Sequence, residues 1–284
     1  MTAPRLSFHK GRLVSNMTAY SILIGATIVM VTPLFYILST SIKKTTQLFA
    51  YPPDWIPKIL FWGNYSTLLG SDSLFLRWTI NTMLVAGVVT ILKVIIDSMA
   101  GYAFAKISFP GRRTLFILIL AVVMVPTSAV IIPLFLLVRR MGLLDTYWAL
   151  ILPPLANPVG VFLMRNYIQS LPRDLENSAR LDGCSEFSVY FRIILPLVKP
   201  GLVVLGILTF LGQYTAFLWP LLAVQDETLQ VLTTGVAEMK ASIFTIDWGL
   251  VSAASVLSMV PITVMFFIFQ RYFSGGSIAG ALKQ

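Results

Sequence analysis

Charge and reactive side chains are scarce in this chain of 284 residues. Only 12% of positions carry Asp, Glu, Lys or Arg, and there is one histidine and one cysteine. With His9 alone, and in the N-terminal lead, a Ser-His-Asp site or a histidine-based metal site inside the membrane is excluded. Cys184 has no second thiol with which to form an internal disulfide, and it reads as a small apolar residue at a helix end. The dipeptide Gly-Lys never occurs, which excludes a phosphate-cradling G-x-x-x-x-G-K-[ST] loop. Any use of ATP must therefore involve another chain. Segments of about ten residues with period-two alternation, as in an outer-membrane barrel, are also missing.

Apolar surface is what the chain has in abundance. Its residues are 57% hydrophobic and its mean hydropathy is +0.82, more than a soluble domain can bury. Uncharged runs cover Leu13–Ile42, Thr114–Val138, Thr146–Met164, Pro200–Gln225 and Trp248–Gln270; Trp78–Ala105 is interrupted only by Lys93 and Asp97. Each accommodates the ~20 residues that a helix needs to cross the hydrocarbon core. The expected class is all-α integral membrane, with six transmembrane helices. The first run follows Arg5, Lys10 and Arg12 but is too long for a cleaved signal core, so it reads as a retained span.

Lys and Arg set the orientation. With the N-terminus inside, thirteen lie in cytoplasmic segments, including Lys106, Arg112, Arg113, Arg173, Arg180, Arg271 and Lys283. Seven lie outside: Lys43, Lys44, Lys58, Arg77, Arg139, Arg140 and Lys240. Both termini are thus expected in the cytosol, and the net charge of +9 answers to topology and anionic headgroups, not to nucleic acid. The expected organisation is a lead at 1–16, a six-helix transmembrane domain at 17–272 with a cytoplasmic loop at 169–198, and a tail at 273–284.

The aromatic- and proline-bearing outer segment Lys43–Arg77 suits the membrane interface. Small residues in Ala100-Gly101-Tyr102-Ala103 permit close helix packing. Pro126 and Pro133 in the third span, and Pro153, Pro154 and Pro158 in the fourth, predict kinks. The segment Asp226–Asp247 should hold a short surface helix. Lys93 and Asp97, at i and i+4, can pair on one face; intramembrane charges are functional candidates by default, and a mutually neutralised packed pair is the alternative. Gln213, Tyr214 and Thr215 offer the hydroxyl, amide and ring groups that sugars favour, so they and Lys93 and Asp97 are candidates for a translocation path.

Between the fourth and fifth spans runs Asn177-Ser178-Ala179-x-x-x-Gly183, followed by Ile193-x-Leu195-Pro196. Ser170 can cap a helix with Pro172 in its first turn and Asp174 and Glu176 favoured there by the dipole. Leu171, Leu175, Ser178/Ala179 and Asp182 share one face, with Ala179 on the docking side. Gly183 supplies a left-handed stop, and Ser185 recaps a second helix that runs to Leu195.

This spacing resembles the "EAA" loop of the permease subunits of binding-protein-dependent ABC importers. Residues 100–113, 126–153 and 161–201, the Phe217-Leu218-Trp219-Pro220-Leu221 segment and Gln270-Arg271-Tyr272-Phe273 resemble the carbohydrate-importer permeases of the maltose type. The resemblance implies a type I importer permease fold and transport of a sugar, oligosaccharide or polyol by alternating access. Glu176, Asn177, Ser178, Ala179, Asp182, Gly183, Ile193, Leu195 and Pro196 would form the ATPase-coupling loop. It further implies a second permease subunit, two copies of a cytosolic ABC ATPase carrying ATP and Mg, and an extracytoplasmic solute-binding protein, in a prokaryotic cytoplasmic membrane. This chain itself would hold no cofactor and catalyse no hydrolysis. Asn177-Ser178 stands where the pattern has Glu-Ala, and Tyr214-Thr215-Ala216 where relatives show Trp-Asn-Asp/Glu. The rivals are an ion-coupled secondary transporter using Lys93/Asp97, which should show weak internal duplication, and none is seen, and a membrane enzyme, disfavoured by the missing nucleophile–base sets.

Overall fold

The computed structural model describes residues 8–48, 51, 54–239 and 246–274. Among these the structure is all helix, with no strand. The described residues group into two units, one formed by those up to Ser73 with Met239–Leu257, the other by Leu74–Glu238 with those from Ser258 onward. The expectations placed on Arg5, Lys240, Lys283 and most of the 273–284 tail lie outside the described residues, as do the side chains of Lys10, Arg12 and Arg271.

In the first unit, α1 (Phe8–Ser41) begins inside the expected lead, and its apolar span runs over Asn16–Ser41. After it, α2 (Gly63–Leu68) is tied back by the buried Asn64 amide, which donates to the carbonyls of Ser41 and Lys43 at 2.8 and 2.9 Å. Tyr36 and Trp55 meet edge to face at 5.7 Å, while Trp62 and Ile56 remain exposed, as expected of an interfacial segment.

The second unit is built on α3 (Phe75–Lys106), long enough to cross a bilayer unbroken. It is followed by α4 (Arg112–Val123), α5 (Thr127–Arg140), α6 (Tyr147–Leu155) and α7 (Val159–Gln169). Then come α8 (Asp174–Leu181), α9 (Glu186–Val189), a π-helical turn at Tyr190–Ile194, and α10 (Leu195–Leu197). The chain continues through α11 (Lys199–Tyr214), α12 (Leu218–Ala223), α13 (Leu232–Glu238) and α14 (Trp248–Ser274), of which the residues up to Leu257 belong to the first unit. α13 is a short helix in the 226–247 segment, but not the surface helix expected there: Leu232, Thr234 and Gly235 are buried, with Gly235 against Trp78 of α3. α3 packs on α6, α7, α11 and α13. Gly101 makes the approach to α7 possible, since a β-carbon there would lie 2.7 Å from Met164 Cβ and 2.9 Å from Arg165 N.

Among the described residues, α1, α3 and α14 are each long and apolar enough to cross a membrane unbroken; three further bent pairs bring the number to six if each pair counts once. The expected kink at Pro126 is a break: α4 and α5 diverge by 100°. Proline has no N–H to donate and disfavours the helical region for the residue before it, which weakens the helix at Val125-Pro126; α5 nonetheless runs on through Pro133. Pro158 acts likewise between α6 and α7, which diverge by 43°. The fifth span is also divided. α11 stops at Tyr214, and α12 resumes only after Phe217.

Candidate functional site: the α8 loop and its attachment to α3

α8 is two turns long and starts at Asp174, later than the Ser170 cap implied. Ser170 instead closes α7, its hydroxyl donating to the Tyr167 carbonyl at 2.8 Å. Asp174 and Glu176 do occupy the first turn. At the other end Gly183 has φ +82°. The Cys184 N–H donates to Ala179 O and the Gly183 N–H to Arg180 O, both at 3.0 Å. These two bonds satisfy carbonyls that a helix end otherwise leaves open, in the Schellman arrangement that needs a left-handed residue. Ser185 then caps α9, accepting from the Ser188 N–H at 3.4 Å. The second helix does not run evenly to Leu195; the π-turn interrupts it, and the chain bends by 78° before α11.

Ala179, expected on a docking side, faces inward instead. It is buried with Tyr102, Met164, Ile168 and Ile194 in the core beneath the loop, because Glu176 and Ala179, three apart, form the inward stripe of α8. The outward surface holds Leu175, Asn177, Ser178, Leu181 and Asp182, all exposed. Leu181 is 89% exposed and Phe187, on α9, 67%. With Leu175 also exposed, the outward side of this short loop carries apolar groups that its own core leaves uncovered. Ile193 and Leu195 pack against the same core as Ala179, while Pro196 is exposed in α10.

Sequence reasoning missed what holds this loop. The Lys106 ammonium lies 2.7 Å from Glu176 Oε1, with both side chains 2% exposed, and it also donates to Leu171 O at 2.7 Å. Arg180 reaches Glu176 at 3.8 Å and Glu186 at 2.8 Å. The hydrogen bond to Glu186 holds the Arg180 pKa above its usual value. The Tyr102 hydroxyl donates to Glu186 Oε2 at 2.8 Å. Lys106 was visible only as an orienting charge; its place in the last turn of α3, one residue before an extended backbone, was the available signal.

Lys93 and Asp97 do pair, at 2.9 Å, with side chains 7% and 2% exposed. Lys93 also donates to Asn157 O at 2.6 Å, a carbonyl at the α6–α7 break. Tyr214 is buried, its hydroxyl donating to Ser258 O at 2.9 Å. Thr215 is exposed and bonds to Leu211 O within its own helix, and Gln213 is half-buried. The five path candidates thus form one sealed ion pair on α3 and a separate group at the end of α11.

These features define a helical membrane protein with a capped, apolar-tipped loop locked to a central span. Residues 97–276 match the family described as binding-protein-dependent transport system inner membrane component, and the chain belongs to that family. It is 35% identical over 253 residues to the arabinooligosaccharides transport system permease protein AraQ of Bacillus subtilis, covering 88% of this chain and 90% of that protein. It is 34% identical over 223 residues to the trehalose/maltose transport system permease protein MalG of Thermococcus litoralis, covering 78% and 80%. Among solved structures, a chain of a bacterial ABC transporter that imports the acidic polysaccharide alginate superposes with TM-score 0.78 at 23% identity, covering 96% of this chain and all of that one. The fold is that of an ABC importer permease.

Proposed function

We propose that this chain is the translocation subunit of an ATP-driven importer for a carbohydrate, moving a sugar, oligosaccharide or related polyol across a prokaryotic cytoplasmic membrane by alternating access. The carbohydrate class is supported by the names of relatives, which transport arabinooligosaccharides, sulfoquinovosyl glycerol and diacetylchitobiose. The observation that carries the coupling role is α8, a helix capped at Gly183 with Leu175 and Leu181 outward and its inward face ion-paired to α3. On this reading residues 169–198 face the cytosol together with both termini. The outward side of α8 seats in a separate ABC ATPase that binds ATP and Mg. Two ATPase copies, a second and different permease subunit, and an extracytoplasmic binding protein complete the assembly.

The ion-coupled alternative finds no support in Lys93 and Asp97. They neutralise each other away from solvent and brace a backbone carbonyl, and a coupling site must exchange ions with water. The test is purification of the assembled complex from its native host, followed by uptake into proteoliposomes. Arabino-oligosaccharides, maltose, trehalose and diacetylchitobiose serve as probes. An ATPase subunit should co-purify, and uptake of at least one probe should require MgATP. ATP-independent uptake driven by a proton or sodium gradient would establish the rival instead.

A further inference from the structure

Three charged residues of α3 are buried: Lys93, Asp97 and Lys106. They join the helix to two elements distant from each other. Lys106, in the last turn, binds Glu176 of α8 at 2.7 Å and the Leu171 carbonyl that precedes it. About 20 Å along the helix axis, Lys93 binds the Asn157 carbonyl at the α6–α7 break at 2.6 Å, held there by Asp97. Stability does not explain such a device, because a buried ion pair is often no better than a well-packed apolar pair of the same volume. What the ionic joints add is intolerance of separation. Drawing Glu176 from Lys106 leaves an uncompensated charge in a low dielectric, so α8 and the end of α3 must move together. A greasy contact would let one slide over the other.

We propose that Lys106 and Glu176 are positioning residues that hand displacement of the α8 loop to α3, and that α3 delivers it through Lys93 to the broken α6–α7 span. The proposal rests on the reading of α8 as the ATPase-coupling helix. It also assigns Glu176 a place inside the permease. With Asn177 in the slot where the family pattern has Glu, the loop's inward carboxylate serves α3 and not the ATPase.

The experiment uses the complete complex in proteoliposomes, with a reporter thiol at Ala156, which is exposed at the α6–α7 break, in a Cys184→Ser background. The rate of maleimide labelling is measured without nucleotide and with MgATP plus orthovanadate. In the otherwise native complex the two rates should differ. In Lys106→Met/Glu176→Met complexes that retain the ATPase, the nucleotide-dependent change in rate should fall about tenfold. The swap Lys106→Glu/Glu176→Lys, which keeps an ion pair, should retain the change. An undiminished response in the double-Met complex overturns the proposal. So does a lost response in a swap complex that still binds and turns over ATP; should the double-Met chain fail to assemble, the swap alone decides. A native complex with no nucleotide response, or no bound ATPase, fails at the coupling reading itself, which distinguishes the two.

Discussion

Gly160 of α7 lies so near Asp97 of α3 that a β-carbon on it would overlap the Asp97 carboxylate. A buried charge therefore sits against bare backbone immediately after the α6–α7 break. Gly160→Ala must displace either the carboxylate or α7, and overpacking of this kind costs about 1–3 kcal/mol. Gly87→Ala, on the same α3 but with nothing within 4 Å of the added carbon, should leave stability unchanged or raise it. Thermal unfolding of the two variants in detergent checks the contrast. Equal midpoints would mean that the α3–α7 contact is looser than described.

The ion pair itself predicts an asymmetry. Lys93→Ala strands the Asp97 carboxylate in the interior, at a cost of about 3–5 kcal/mol. Removing both charges in Lys93→Ala/Asp97→Ala should recover much of that loss. Recovery should be incomplete, because the Asn157 carbonyl still loses its donor. If the double variant is as unstable as the two singles summed, the residues are not neutralising each other.

Gly183 makes a backbone prediction. At φ +82° a β-branched residue is strained by about 1–3 kcal/mol, whereas asparagine tolerates the left-handed region. Gly183→Val should abolish MgATP-dependent uptake while leaving membrane insertion intact, and Gly183→Asn should retain most of it. Transport assays on the two variants, with insertion checked by membrane fractionation, decide the matter. Normal uptake by Gly183→Val would remove the Schellman stop from the coupling argument.

Topology is checked with a single thiol. A cysteine replacing Asp226, in a Cys184→Ser background, should react with an impermeant maleimide added to intact cells. Labelling only after permeabilisation reverses the orientation and puts α8 outside.

How much of this was legible in the sequence depends on the range of the physics involved. Gly183 and Ser185 could be read because a left-handed stop and a hydroxyl cap are set by neighbours a few residues away. Pro126 announced an interruption, but the 100° between α4 and α5 follows from packing that no local residue encodes. Lys106 and Glu176 are seventy positions apart and belong to different spans' ends, so nothing in periodicity links them. Ala179 was misplaced for a related reason. On paper the apolar side of α8 runs through Leu175 and Ala179, but the ion pair of Glu176 with Lys106 and the core formed by Tyr102, Met164 and Ile194 turn Glu176 and Ala179 inward.

That selection gives opposite outcomes for two neighbouring positions. Ala179 is buried, so Ala179→Trp forces a large ring into a filled core and should lower the yield of folded protein in the membrane. Any loss of ATPase would follow from that. Leu181 is 89% exposed and touches little of its own chain. Leu181→Asp should therefore insert and fold normally, with an unfolding free energy within about 0.5 kcal/mol of the parent, as surface changes usually are. Its effect should appear only in association. An aspartate carried into an interface with the ATPase must be desolvated, and the amount of ATPase retained on the permease at a given salt concentration should fall about tenfold. Size-exclusion chromatography of the co-expressed complex separates the two behaviours. A folded, ATPase-free Ala179→Trp beside a fully assembled Leu181→Asp would turn α8 around, placing its docking surface where its core now lies.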